Sequence, residues 1–585
     1  MRKNTLLLSP NARLVLEKRY LKKDASGNPL ETPEDMFRRI AKNIASVDLI
    51  YNKKADISSL EEQFCDLLTN LLFLPNSPTL MNAGRNIQQL SGCFVLPVED
   101  SIEHIFETVK QAAIIHKSGG GTGFSFSSIR PRNDGVSTSG GLASGPVSFI
   151  RVFNEATEAI NQGGFRRGAN MAVLRVDHPD ILDFIHSKRR EGVLTNFNLS
   201  VGITDAFMIA VENNQDFSLI NPRTGATMRS MPARQLFDQI VHAAWENGEP
   251  GVLFLDAMNA ANPTPLLGEI EGTNPCGEQP LLPFESCVLG SVNLSKMVKQ
   301  VGEKYEIDWS RLNATIQLAV RFLDNVIDAN KYPLPQIEHI TKGNRKIGLG
   351  VMGLADLLIK LGISYNSEDA VHLTDRLVCF FSQKANEASI RLADERGVFP
   401  NYQKSIYAQE DGLKYRNATR TTIAPTGTIS IIAGCSSGIE PLFAVAYTRH
   451  VLIEDGLPEI NPFFLEIAKK RGFYTEGLIE EISLEGTIQN IKTIPEDIKK
   501  LFITARDVLP EQHVKIQAAC QRYIDNGVSK TINFPKNAAV DDVRKVFLLA
   551  YKSGCKGITV YRDKSRISQA LSVECTCAKE FISDR

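Results

Sequence analysis

Residues 512–562, QHVKIQAACQRYIDNGVSKTINFPKNAAVDDVRKVFLLAYKSGCKGITVYR, decide the fold class. A helical pattern runs over 512–525 and stops at Asn526-Gly527, and Val528 to Phe534 follows as a strand. Asp541 to Lys552 is helical again, Gly554 ends it, and Gly557 to Arg562 is a second strand. Such alternation favours an α/β sheet or barrel over separate all-α and all-β domains. Outward from there, a long helix from Asp369 closes at Gly397, and residues 36–51 and 59–73 are expected as amphipathic helices of a small N-terminal helical region. Asp100 and Glu103 give a capping-box-like start to a helix with Ile102, Ile105, Phe106, Val109 and Ala113 on one face, ended by Gly119. The last segment, 566–585, has no sustained periodicity and is expected to be a flexible tail.

The 585 residues carry 66 Lys+Arg against 67 Asp+Glu, a net charge of −1, so no strong field draws the chain to nucleic acid or an acidic membrane. Hydrophobic residues at 43% and charged residues at 23% describe a globular chain with a large core. At about 150 residues per domain, the length allows several domains or one large decorated barrel. The apolar run from Ile347 to Ile359 contains Asp356 and is flanked by Lys346 and Lys360, too short to span a bilayer. Only three leucines follow the opening Met1-Arg2-Lys3-Asn4-Thr5, so no signal peptide is expected and a reducing cytoplasm is the expected compartment for the 10 cysteines. The 9 histidines form no ligand pair, and no protein-built metal site is expected.

Four motifs can carry chemistry. Gly348-Leu349-Gly350-Val351-Met352-Gly353 matches a dinucleotide fingerprint in form, but Lys342-Gly343-Asn344-Arg345-Lys346 stands where the fingerprint needs a strand. Close helix packing is the expected use of these glycines. Ser118 to Gly123 lacks the ending of a phosphate-binding P-loop, so it offers either close backbone approach to a ligand or a helix stop. Ala424 to Ser430 offers hydroxyls and backbone N–H groups, a neutral phosphate cradle if a helix starts there and a Thr-rich turn otherwise. Asn274-Pro275-Cys276-Gly277-Glu278 is a loop, because its prolines and glycine resist helix and central strand. Side chains two apart in an extended loop share a face, so an amide, a thiol and a carboxylate can address one ligand there. A Pro-rich turn with an incidental cysteine is the plain alternative. Cys93 and Cys287 by themselves show neither pairing nor reactivity.

Taken together and in order, these segments resemble the catalytic subunit of ribonucleotide reductase, most of all its adenosylcobalamin-dependent class II. The likeness runs from Leu16 to Arg566 and rests on Pro75-Asn76-Ser77-Pro78-Thr79, Ser91-Gly92-Cys93, Ser118 to Gly123, Gln162 to Met171, Asn274 to Glu278 and Pro425 to Ser430. The resemblance implies a helical region over 1–85, a ten-stranded α/β barrel over 86–565 with a central finger loop, and Cys276 at the loop's tip. The cofactor's deoxyadenosyl radical would convert Cys276 into a thiyl that takes the ribose 3′ hydrogen. Glu278 would accept the 3′-hydroxyl proton and Asn274 would hold the sugar hydroxyls. Cys93 and Cys287 would supply two electrons as the 2′-hydroxyl leaves as water, ending as a disulfide. Ser77, Gly92, Gly121 and the loop Pro425, Thr426, Gly427, Thr428 and Ile429 would contact substrate.

By the same likeness, residues 130–170 resemble a specificity region for a deoxynucleoside triphosphate, with Arg132, Asp134, Gln162, Arg166 and Arg167 as candidate contacts. A homodimer is implied. Cys575 and Cys577 would carry electrons from a thioredoxin- or glutaredoxin-type reductant; a flexible twenty-residue segment reaches about 25 Å. Class I relays its radical through adjacent tyrosines, whereas Gly557 to Arg562 holds only Tyr561 and no Tyr-Tyr occurs in the chain. The C-terminal residues do not resemble the glycyl-radical motif of class III. With little sequence ahead of the catalytic region, no ATP-sensing cone is expected. The rival readings are a class I subunit needing a radical-generating partner, an inactive nucleotide-binding homologue and, distantly, a dinucleotide-dependent dehydrogenase. The phosphate level of the substrate, di- or triphosphate, is left open.

Overall fold

The computed structural model describes residues 6–136, 140–160, 168–409, 412–449, 457–485, 487–566 and 571–572. Five strands, β1 (Cys93–Pro97), β2 (Gly121–Ser125), β3 (Asn170–Arg175), β4 (Phe197–Ile203) and β5 (Gly251–Phe254), pair in parallel in that order. A second parallel run holds β6 (Ser286–Asn293) beside β7 (Ile347–Met352), and β8 (Thr531–Phe534) beside β9 (Gly557–Arg562). The gap between β7 and β8 is filled by residues 419–423, which bridge in parallel to both sides through Leu349–Thr421 and Ile423–Val528. The two runs meet antiparallel at β5–β9 and at β1–β6. Nine strands and the 419–423 segment therefore close a ten-position α/β barrel, five positions to each half.

Both faces of β6 and β7 are buried, as a parallel barrel demands. Outside them pack the helices Trp309–Ala329 and Glu368–Arg396, together with the N-terminal helices Pro33–Ala45 and Ile57–Thr69, in one apolar core. The first half has its own core against the helices Ile102–Lys117, Pro146–Ala159 and Ala233–Asn247. Ser367 caps the Glu368–Arg396 helix by accepting from Ala370 N, and Gly397 ends it as expected.

Inside the barrel runs a hairpin whose arms, Gly272–Thr273 and Pro280–Leu281, pair antiparallel. Two glycines of the wall make room for it. A Cβ on Gly123 of β2 would lie 1.7 Å from the Thr273 carbonyl oxygen, and one on Gly527 2.6 Å from that of Gly277.

Several expectations need correction. The 36–51 helix is two, Pro33–Ala45 and Asp48–Tyr51, and the 59–73 helix ends at Thr69 because Phe73–Pro75 pairs with β6. Ser101, not Asp100, caps the next helix; Asp100 instead binds Arg130 at 2.7 Å. That helix buries Ile105, Thr108, Ala112 and Ile115, while Ile102 and Phe106 are 56% and 51% exposed. The fingerprint glycines do not pack a helix: Gly348 and Gly350 lie within β7, where a Cβ on Gly350 would meet the Thr422 carbonyl oxygen at 2.2 Å. They let β7 and the 419–423 segment approach closely. The 566–585 segment is not free at its start, since Arg566 binds Glu249 at 2.7 Å and Leu571–Ser572 pairs with Ala446–Arg449. Among the described residues no helix is long and apolar enough to cross a membrane.

Candidate active site

The hairpin tip is a tight turn closed by Gly277 N donating to Asn274 O at 3.1 Å, with Gly277 at φ 79°. Asn274 N donates to Gln279 O, and Gln279 N donates to the Asn274 side-chain oxygen at 3.0 Å, so the amide fixes its own loop. The barrel wall holds the tip from outside. Asn198 of β4 donates to Pro275 O at 2.8 Å, Thr422 Oγ1 to Glu278 O at 2.8 Å, and Gly527 N to Glu278 O at 2.9 Å. Cys276 is thereby exposed on a cavity of about 1400 Å³, while Asn274 and Glu278 are 2% exposed.

Cys93 and Cys287 are register partners across the antiparallel seam β1–β6. Directly opposed residues in such a pair have Cα atoms about 4.5–5.5 Å apart, within the range a disulfide bridges. Both are free thiols and buried. Burial first, then the charges of Glu278 and the neighbouring cysteines, pushes the Cys93 thiol well above its usual range. Burial likewise raises Cys287, opposed by the nearby Lys346 ammonium. Asn274 Nδ2 donates to Cys93 Sγ at 3.1 Å. One loop and one seam thus bring Cys276, Asn274, Glu278, Cys93 and Cys287 together.

The loops named for substrate contact join the same region by a chain of contacts. Gly121 sits 3.1 Å, from its would-be Cβ, from Pro275; Gly121 N donates to Gly92 O at 3.0 Å; Gly92 faces Asn76. A helix, Ile429–Ala433, does start in the 424–430 segment, with Thr426 at φ 53° and its hydroxyl accepting from Gly438 N at 2.7 Å. Ala424 packs against the apolar cluster that contains Cys93 and Cys287. Ser77 opens the helix Ser77–Asn82 and lies 2.8 Å from the Tyr20 hydroxyl.

Arg132 and Asp134 belong to a different place. Arg132 N donates to Asp180, and Asp134 pairs with Arg223 at 3.1 Å. Gln162, Arg166, Arg167, Cys575 and Cys577 lie outside the described residues. Sequence reasoning missed Asn198, Thr422 and Gly527, which hold the hairpin through backbone carbonyls and carry no motif of their own. It also missed Glu285 and Lys346, an ion pair at 2.6 Å with both partners 1% exposed, beside Cys287. The available signal was Lys346 standing directly before the apolar run that starts at Ile347.

The comparisons agree with this geometry. Residues 91–415 and 408–561 match the family model described as ribonucleotide reductase, barrel domain, and residues 6–88 match ribonucleotide reductase, all-alpha domain. A protein of Thermoplasma acidophilum named vitamin B12-dependent ribonucleoside-diphosphate reductase is 49% identical, over 97% of this chain and 81% of its own length. One of the same name from Mycobacterium tuberculosis H37Rv is also 49% identical, over 97% and 80%. The solved structure of the Actinobacillus ureae class Id ribonucleotide reductase alpha subunit superposes with a TM-score of 0.77 at 23% identity, covering 95% of this chain and 97% of that one, a likeness of fold. With its barrel, hairpin thiol and seam of cysteines in place, this chain belongs to the ribonucleotide reductase family.

Proposed function

We propose that the chain reduces ribonucleoside diphosphates to 2′-deoxyribonucleoside diphosphates, with adenosylcobalamin as radical source. The observation that carries it is Cys276 at the tip of a hairpin inside the barrel, with Asn274, Glu278 and the Cys93–Cys287 seam behind it. The relatives at 49% identity, named for vitamin B12 dependence and diphosphate substrates, support the cofactor and the phosphate level.

The cavity at Cys276 suits a large cofactor. Its volume of about 1400 Å³ exceeds the ~300–1,000 Å³ of ordinary small-molecule pockets, and its walls mix apolar Leu442 and Ile558 with polar Ser436 and Ser529. Bound there, adenosylcobalamin supplies hydrogen-atom abstraction from the Cys276 thiol. The chain does the rest. Cys276 takes the hydrogen from the ribose 3′ carbon and later returns one; Glu278 holds the 3′-hydroxyl proton; Asn274 orients the sugar and Cys93. The two seam thiols give two electrons and two protons, so that ribonucleotide plus dithiol becomes deoxyribonucleotide, disulfide and water. The hairpin and barrel wall hold these groups in fixed mutual orientation.

A dithiol of thioredoxin or glutaredoxin type would restore the seam, through Cys575 and Cys577. A homodimer with a deoxynucleoside triphosphate effector, contacted by Arg132, Asp134, Gln162, Arg166 and Arg167, completes the reading. Its support is the resemblance of residues 130–170 to the family's specificity region.

The test is anaerobic turnover of CDP and CTP with dithiothreitol and effectors, with and without adenosylcobalamin, and no second protein. Deoxycytidine diphosphate formed only with the cofactor is the expected result. No product in either case, despite nucleotide binding, would point to a separate radical-generating subunit.

A further inference from the structure

Two consecutive residues near the N-terminus reach two loops that are distant in sequence. Leu16–Tyr20 forms one wide helical turn, closed by Leu21 N donating to Leu16 O at 3.0 Å. From it Arg19 Nη1 donates to Thr428 Oγ1 at 3.3 Å, and the Tyr20 hydroxyl lies 2.8 Å from Ser77 Oγ. The all-α region therefore holds both segments read above as substrate contacts.

Donors outnumber acceptors at this junction. Arg19 Nε is buried with no hydrogen-bond partner. Asn76 is 9% exposed; its Oδ1 accepts from Thr79 N, while its Nδ2 is buried with no partner and lies 3.0 Å from where a side chain on Gly92 would begin. Buried N–H groups without acceptors are costly, and an oxyanion is the strongest acceptor a guanidinium can meet. The order of contacts runs outward from Cys276: Pro275 to Gly121, Gly121 to Gly92, Gly92 to Asn76, and last the Ser77–Tyr20 and Thr428–Arg19 contacts. A diphosphate extended along this chain of contacts, away from a ribose at Cys276, leads toward the Arg19 guanidinium.

We propose that Arg19 binds the β-phosphate of the ribonucleoside diphosphate, with Asn76, Ser77 and Thr428 around the same phosphates. This rests on the reading of the barrel as a reductase of such nucleotides. Arg19 adds the positive charge that a cradle of hydroxyls and backbone N–H groups lacks, and it makes the N-terminal helical region part of the substrate site.

The test compares CDP with CMP on the full chain by calorimetry, for the wild type, Arg19→Met and Arg19→Lys. A charge-assisted hydrogen bond is worth about tenfold to a hundredfold in affinity. Arg19→Met is expected to weaken CDP by that factor and leave CMP within about twofold, with Arg19→Lys restoring part of the loss. CDP and CMP weakened equally, as by collapse of the Thr428 loop, or neither weakened, overturns the assignment. A wild-type protein that binds no ribonucleotide overturns the reductase reading itself, a separate result.

Discussion

The side-chain nitrogen of Asn274 donates to the sulfur of Cys93 at 3.1 Å, while its oxygen accepts from Gln279 N at 3.0 Å. One amide therefore sets both the hairpin tip and the orientation of one electron-donating thiol. Asn274→Ala leaves a buried N–H without its acceptor and frees Cys93. A loss of about 30- to 100-fold in kcat is expected, equal to about 2–3 kcal/mol, with a smaller change in KM. Steady-state turnover of CDP checks it.

The buried seam thiols bear on alkaline stability. Their folded pKa values lie above the unfolded ones, so their contribution is full below pH ~8.5 and is lost as pH rises beyond it. At pH 9.5 the loss is about 1.4 kcal/mol for each thiol. Urea unfolding at pH 7 and 9.5 should show a steeper decline for the reduced protein than for one oxidised to Cys93–Cys287, where neither group titrates. Equal declines would count against the burial argument.

Gly123→Ala should abolish turnover. Its Cβ would lie 1.7 Å from the Thr273 carbonyl oxygen, so the hairpin or β2 must shift, at a cost of about 1–3 kcal/mol or more. Gly477→Ala, where nothing lies within 4 Å, is the matched control and should keep activity. Thermal melting and turnover together separate displacement of Cys276 from global unfolding.

Asp324 is fully buried between Arg345 and Arg396, each at 2.8 Å, and Arg416 at 3.4 Å. Burial opposes ionisation here, but the three guanidinium groups outweigh it and hold the carboxyl far below its usual range. Because the folded value is depressed, the stabilisation is present above pH ~3.9 and lost as pH falls toward the folded value. Asp324→Asn should cost about 3–5 kcal/mol at pH 7 and flatten the acid limb of the stability curve. Urea titrations from pH 7 to 3 test both.

Much of the architecture was readable in advance for a physical reason. The Glu368–Arg396 helix, the Val540–Lys552 helix and the strand Gly557–Arg562 have clear periods and glycine stops, so their bounds fell within a residue or so of expectation. The 419–423 segment was not, because its partners on β7 and before β8 supply the order and its own pattern does not. The buried face of Ile102–Lys117 differs from the one its pattern favours for another cause: the helix carries two apolar stripes, and only tertiary packing chooses between them. At the site, the thiol, amide and carboxylate shared a short loop and were visible together. The facing of Cys93 and Cys287 came through resemblance, since register between strands far apart in sequence leaves no local trace. Arg19 left none at all, sitting among ordinary charges of an amphipathic turn.

The antiparallel seam between β5 and β9 also governs how the molecule is made. Val252 and Leu253 wait for Ile558 and Gly557, which leave the ribosome about 300 residues later. At about 5–20 residues per second that is some 15–60 s of synthesis during which β5 is an open edge on a nascent half-barrel. An apolar parallel edge exposed for that long is a template for pairing with other chains. The topology therefore favours association of the unfinished first half, and fragments ending before Gly557 should recover as aggregates.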